Sequence, residues 1–270
     1  MVADMDCVRC GRPAVIFQPY SGLSLCTPHL IEDIRKKGKK TVRNHSWLRS
    51  GDRIALAFSG DLHEIALLDF MKVLVDRRKD VSIFAIISGN CGDMDTYSGI
   101  SCIRPPDTGC ISPVEDPVSD QTSDPPDPFR SRYEKEKFLT SIAKKNDATA
   151  LAMPYSLPDH AEWALWKAVN SEFPGLAGKG LKTGNKFRII RPFMRIPGEE
   201  LDMYAQGIVE EYYHDNNRYI QSRQDGTPIS RMLGKFSQGH PAAEFAIVNI
   251  WDDIDRLVRQ AGRNSPPGER

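Results

Sequence analysis

The sequence predicts an α/β protein: a parallel sheet with helices on both faces, preceded by a small cysteine–histidine knuckle. Three stretches carry that expectation. Ile54 to Phe58 is an apolar run that reads as a buried strand, Ser59 and Gly60 make a turn, and apolar residues at 62, 65, 66, 68 and 70 recur at helical spacing. Val81 to Ser88 is a second apolar run, and strand, helix, strand at this separation describes the βαβ unit of a parallel sheet. At the start of the chain, Cys7 and Cys10 are followed by Cys26 and His29, two pairs with two residues inside each.

That paired spacing suits a tetrahedral Zn²⁺ held by three thiolates and one imidazole, a structural site with no open position. Gly11 supplies the tight turn after the second ligand. The bland alternative is unrelated free thiols and a surface histidine. Thirty-six basic residues balance 36 acidic ones, so any affinity for nucleic acid must come from a local patch. One such patch follows the knuckle: Lys36, Lys37, Lys39, Lys40 and Arg43 cluster with little acid after Asp33. It reads either as a solvated helix face, with Leu30, Ile31 and Ile34 inward and Gly38 interrupting the helix, or as a contact to phosphates. No apolar run approaches a membrane span, and Met1 to Cys10 is polar, so no leader and a cytoplasmic location are expected. Six cysteines in that setting point to metal ligation or free thiols rather than disulfides.

Further along, Gly99 to Ile103 reads as a third strand. Residues 104–129 hold seven prolines between Pro105 and Pro128 and no Lys or Arg between Arg104 and Arg130, the composition of a mobile acidic loop. Cys91, Cys102 and Cys110 match no standard metal spacing and read as ordinary thiols. Ser131 to Asn146 is expected as a helix, Ala148 to Met153 as a strand and Ala161 to Val169 as a helix whose Trp163 and Trp166 are core residues. Phe187 to Ile190 is a strand and Glu199 to Gly207 a helix. Tyr212, Tyr213, His214 and Asn217 are placed in a following strand and loop, and Ala242 to Arg259 in a closing helix. The domain reading is a knuckle over 1–30, a basic helical linker over 31–50, an α/β domain over 51–260 and a disordered tail over 261–270.

The strand–turn–helix unit at 54–70 resembles the PP-loop of the ATP-pyrophosphatase superfamily, whose pattern is Ser-Gly-Gly-Lys-Asp-Ser after a strand. Ser59 and Gly60 match; Asp61, Leu62, His63 and Glu64 do not. With the knuckle included, roughly residues 5 to 258 are similar to the TtuA/TtcA group of tRNA 2-thiolation enzymes. The resemblance implies a PP-loop (adenine nucleotide alpha hydrolase-like) fold, tRNA as partner and an ATP pocket at the strand ends formed by Ser59, Gly60 and Asp159. The family's Gly-His-Asn-Leu-Asp-Asp motif falls on Pro154 to Asp159, keeping Leu157 and Asp159. Its cluster-binding Cys-x-x-Cys pair has no counterpart over Phe129 to Tyr133, and its third cysteine falls on Asn217. The C-terminal zinc finger of TtuA-type members has no counterpart either.

These departures lead to three expectations: no iron–sulfur cluster, weak or no ATP binding, and no catalytic residue. The first function reading is a degenerate, non-catalytic member of the family that binds tRNA, a protein partner or a second copy of itself. The second is a nucleotide-dependent enzyme, a tRNA sulfurtransferase or other transferase, with a diverged site in which Asp61, His63, Glu64 and Asp159 serve as acid–base groups. For the loop itself, Asp61-Leu62-His63-Glu64 fits a capping box, in which the two acids satisfy the helix N-terminus that a phosphate would otherwise use.

Overall fold

The structure, a computed structural model, describes residues 5–87, 99–105, 128–170, 187–212 and 227–264. A two-stranded antiparallel hairpin, β1 (Ile16–Gln18) and β2 (Leu23–Leu25), leads into helix α1 (Thr27–Asn44). Then come β3 (Arg53–Phe58), α2 (Leu62–Val75), β4 (Ser82–Ile87), β5 (Ser101–Ile103), α3 (Pro128–Lys145), β6 (Ala150–Ala152), α4 (Leu157–Val169), β7 (Arg188–Ile190), α5 (Gly198–Tyr212), α6 (Pro228–Gly239) and α7 (Ala243–Asn264). Strands β3 to β7 form one sheet in the order β5-β4-β3-β6-β7, and every pairing is parallel.

Alternation along the strands divides the core between two faces. Ile54, Leu56 and Phe58 of β3 join Ala85, Ile87, Ala150 and Ala152 in a cluster covered by α1, α2 and α5. Ala55 and Ala57 point the other way with Phe84, Ile86 and Leu151, against Leu139, Ile142 and Ala143 of α3. A third cluster joins the start of α4 to α6 and α7 through Leu157, Ala161, Met194, Leu233 and Val248. The expected α/β sheet with helices on both faces is therefore present. The chain runs outward from β3 through β4 to β5, then returns to the other side of β3 for β6 and β7. The carboxyl ends of β3 and β6 are thus the switch point where open α/β sheets make their crevice.

Several elements differ from the sequence reading. Gly38 does not interrupt α1. It is buried, and a Cβ there would lie 2.6 Å from Cε2 of Phe70, so glycine is what lets α1 and α2 approach. Helix α1 is not a linker, because Leu30, Ile34 and Val42 share a cluster with the sheet, as do Cys7, Ile16, Leu25 and Cys26 of the knuckle. Tyr212 ends α5 rather than lying in a strand, and α7 continues to Asn264. Helix α6 had no counterpart in the expectation. Most of the acidic proline-rich stretch, and Tyr213, His214 and Asn217, lie outside the described residues.

Candidate metal centre and PP-loop site

The knuckle is built by two turns and one helix start. Cys10 and Gly11 donate their N–H groups to the carbonyl of Cys7 at 3.2 and 2.8 Å, with Gly11 at φ +70°, a conformation glycine adopts without strain. Cys26 is the N-cap of α1, and Pro28 sits in its first turn. His29 is therefore one turn inside the helix, on the same side as Cys26. The three sulfurs and one ring nitrogen lie within 4.8 Å of one another. Cys7 Sγ and Cys26 Sγ each stand 3.3 Å from His29 Nδ1, and Cys10 Sγ stands 3.6 Å from Cys26 Sγ. Tetrahedral zinc, with bonds of about 2.3 Å to sulfur and about 2.0 Å to nitrogen, needs ligand separations only slightly larger. The donor set and its spacing fit one such ion.

At the switch point, β3 ends and Ser59 and Gly60 turn the chain, with Gly60 at φ +92°. Asp61 caps α2: its carboxylate accepts from the N–H of His63 at 2.7 Å, within a full capping box completed by Glu64. Glu64 is turned back into the loop. Its carboxylate accepts from the Ser59 hydroxyl at 2.8 and 3.0 Å, from the Asp61 N–H at 3.3 Å and from the Ser59 N–H. Lys135 of α3 stands 3.5 Å away. Burial pushes the Glu64 carboxyl above its ordinary value, against the pull of Lys135. A second capping box stands at the end of β6, where Asp159 accepts from the N–H and the hydroxyl of Ser156 at 2.8 and 2.7 Å. His63 is buried, and its Nε2 lies 2.7 Å from Asp202 of α5. The structure thus places Asp61, His63 and Glu64 on one helix start and Asp159 on the start that follows the neighbouring strand. Each of the four is engaged by its own surroundings.

The basic cluster splits in two. Lys36, Lys39, Lys40 and Arg43 are exposed. Lys37 is half-buried and committed elsewhere: its Nζ lies 2.6 Å from Asp33 and 3.1 Å from Glu200, which also holds Gln18 and Tyr20 of the hairpin. Lys37 joins knuckle to domain, so the expectation that it contacts phosphate is corrected. A partner 163 residues away leaves no trace in local sequence.

A knuckle whose three cysteines and one histidine could hold a metal, joined to a PP-loop-type parallel sheet, defines the class. The family model described as "2-thiouridine synthetase TtuA, N-terminal LIM domain" matches residues 6–31, which span all four knuckle ligands. The tRNA 2-thiolation protein NcsA of Haloferax volcanii is 21% identical over 96% of this chain and 89% of its own length. The tRNA-5-methyluridine(54) 2-sulfurtransferase of Thermus thermophilus is 33% identical over 26% of this chain and 22% of its own length. Among solved structures, the U34-tRNA thiolase NcsA of Methanococcus maripaludis, with its [4Fe-4S] cluster, superposes with a TM-score of 0.70. It covers 97% of this chain and 89% of its own, at 17% identity. The chain is thus similar to tRNA 2-thiolation proteins of the TtuA/NcsA type, in its knuckle and along nearly its whole length.

That solved relative corrects one expectation. The prediction that an iron–sulfur cluster is unlikely rested on missing cysteines at aligned positions, whereas the relative of the same fold carries a [4Fe-4S] cluster. A cluster requires thiolates that meet in space, not at fixed sequence positions. Three cysteines remain outside the knuckle, Cys91, Cys102 and Cys110, of which Cys102 on β5 is among the described residues. No helix among the described residues is long and apolar enough to cross a membrane.

Proposed function

We propose that this chain is a non-catalytic member of the tRNA 2-thiolation family that binds tRNA. In this reading a zinc ion holds the knuckle through Cys7, Cys10, Cys26 and His29, and the PP-loop no longer receives ATP. Four protein ligands leave the zinc no open position, so it stabilises the fold and activates nothing.

One observation carries the non-catalytic reading: the Glu64 carboxylate takes the donors of Ser59 and Asp61 at the turn where a nucleotide phosphate would sit. A bare helix start attracts anions because its N–H groups are free. Here the N–H groups of Ser59, Asp61 and His63 are taken by the carboxylates of Asp61 and Glu64, which a phosphate would also meet. One unit charge at 4 Å opposes it by about 4 kcal/mol at an effective dielectric near 20. Leu62 stands where the family pattern has lysine, and offers no charge to compensate. No step of a reaction is assigned to a cluster or to an acid–base group.

Calorimetric titration with ATP and Mg²⁺ tests this. The expected result is no measurable heat at micromolar nucleotide, and a low-micromolar dissociation constant overturns it. The second reading, an enzyme with a diverged site, draws on the 2.7 Å His63–Asp202 pair beside the loop. It requires the nucleotide binding that the same titration measures.

A further inference from the structure

Helix α1 and the turn that ends it carry a feature that the loop and the knuckle do not use. Lys36, Lys39, Lys40 and Arg43 have no ion-pair partner among the described residues, in contrast to Arg35 and Lys37 on the same helix, which pair with Asp69 and with Asp33 and Glu200. Spaced i, i+3, i+4 and i+7, the four form one stripe, about 10.5 Å long at 1.5 Å per residue. The close contact of Gly38 with Phe70 fixes the opposite side of the helix against α2, so the stripe is held facing solvent.

The helix ends in a Schellman turn. The Trp47 N–H donates to the Val42 carbonyl and the Ser46 N–H to the Arg43 carbonyl, both at 3.1 Å. Ser46 occupies the left-handed position at φ +51°, where glycine is the usual residue. This turn lays the exposed His45 ring on Trp47, with ring centroids 4.4 Å apart and planes 13° from parallel. Trp47 is half-buried against the core, so the outer ring of the stack is held flat. Imidazole is among the rings on which unpaired RNA bases stack.

We infer that α1 is a two-part RNA-docking element: the stripe follows phosphates, and His45, backed by Trp47, receives one unpaired base at the helix end. The inference rests on the tRNA-binding reading above and names the site and the kind of RNA. His45 is nine residues beyond Lys36, about two and a half helical turns, and so leaves the helix opposite the stripe. A strand that follows the cations must therefore turn over the helix end to reach the ring. A paired duplex is too stiff for such a turn, whereas a hairpin loop bends and exposes bases. The element selects looped RNA.

The test uses the whole protein, a hairpin RNA with an unpaired loop, and a fully paired RNA with the same number of phosphates, at two salt concentrations. Wild type should prefer the hairpin. His45→Ala should lose about tenfold in hairpin affinity, nothing for the duplex, and keep the salt slope. His45→Phe should regain most of the loss. Reversing Lys36, Lys39 and Lys40 to Glu should weaken both RNAs and reduce the log–log salt slope by about two to three. Unchanged hairpin binding by the His45→Ala protein, with RNA still bound, removes the base shelf and leaves the tRNA reading standing. An unchanged slope after charge reversal removes the stripe. Wild type that binds neither RNA overturns the tRNA reading as well.

Discussion

The Glu64 carboxylate lies on the hydroxyl of Ser59, five residues earlier, at 2.8 and 3.0 Å from its two oxygens, and so closes the PP-loop with a side chain of its own helix. Burial raises this carboxyl above 4.5, so the folded state holds its proton more tightly than the unfolded one. The stability from that group is full below 4.5 and is lost as pH rises through the raised folded value. Glu64→Gln cannot ionise. Its stability should therefore improve relative to wild type as pH rises above 4.5 toward the raised folded value, as read from denaturant midpoints. A gap that stays constant or moves the other way contradicts burial as the dominant influence.

Gly38→Ala should destabilise the protein although alanine is the better helix former. The gain in helix propensity is about 1 kcal/mol, but the new methyl would stand 2.6 and 2.9 Å from two atoms of the Phe70 ring. Overpacking of this kind costs about 1–3 kcal/mol. Thermal melts of Gly38→Ala alone and with Phe70→Leu decide the matter, because the smaller partner should recover most of the loss. A single variant as stable as wild type refutes the close approach.

Two neighbouring lysines should behave differently. Lys37→Ala leaves Glu200 and Asp33 short of a cation at a largely buried junction and should cost about 1–3 kcal/mol. Lys36→Ala removes an exposed side chain and should stay within about 0.5 kcal/mol of wild type. Equal losses in urea denaturation would show that the junction does not distinguish them.

If the knuckle holds the proposed zinc, its removal should be felt beyond the knuckle. Elemental analysis is expected to give about one zinc per chain, and Cys26→Ser should abolish it. Because Cys7, Leu25 and Cys26 share a core cluster with β3 and α2, that variant or a strong chelator should lower the melting temperature of the sheet as well. Retention of zinc in Cys26→Ser, or an unmoved melt after full metal removal, argues against the assignment.

The strand–turn–helix at 54–75, the parallel partner strand and the convergence of Cys7, Cys10, Cys26 and His29 were legible because each rests on short-range pattern: an apolar run, a helical period, a fixed paired spacing. Gly38 was misread because its low helix propensity is local, while the Phe70 ring that requires it lies 32 residues away. Lys37 could not be separated from its neighbours for the same reason, although the phase of the other four cations was already present in the spacing. Helix α6 did carry a local signal that went unused: Thr227 accepts from the N–H of Ser230 as N-cap, and Pro228 follows at the first helical position. At the PP-loop the capping-box spacing predicted how Asp61 and Glu64 would be used. It did not show that Ser59 would also donate to the Glu64 carboxylate.

The tie from Gln18 and Tyr20 through Glu200 to Lys37 constrains how this chain can exchange parts with similar proteins. A knuckle transplanted from a relative could carry perfect ligands and still fail, because its hairpin must also match an acid on α5 and an amine on α1. Inheritance of this N-terminal module is therefore coupled to two helices distant in sequence, and chimaeras should be cut after α5 rather than after His29.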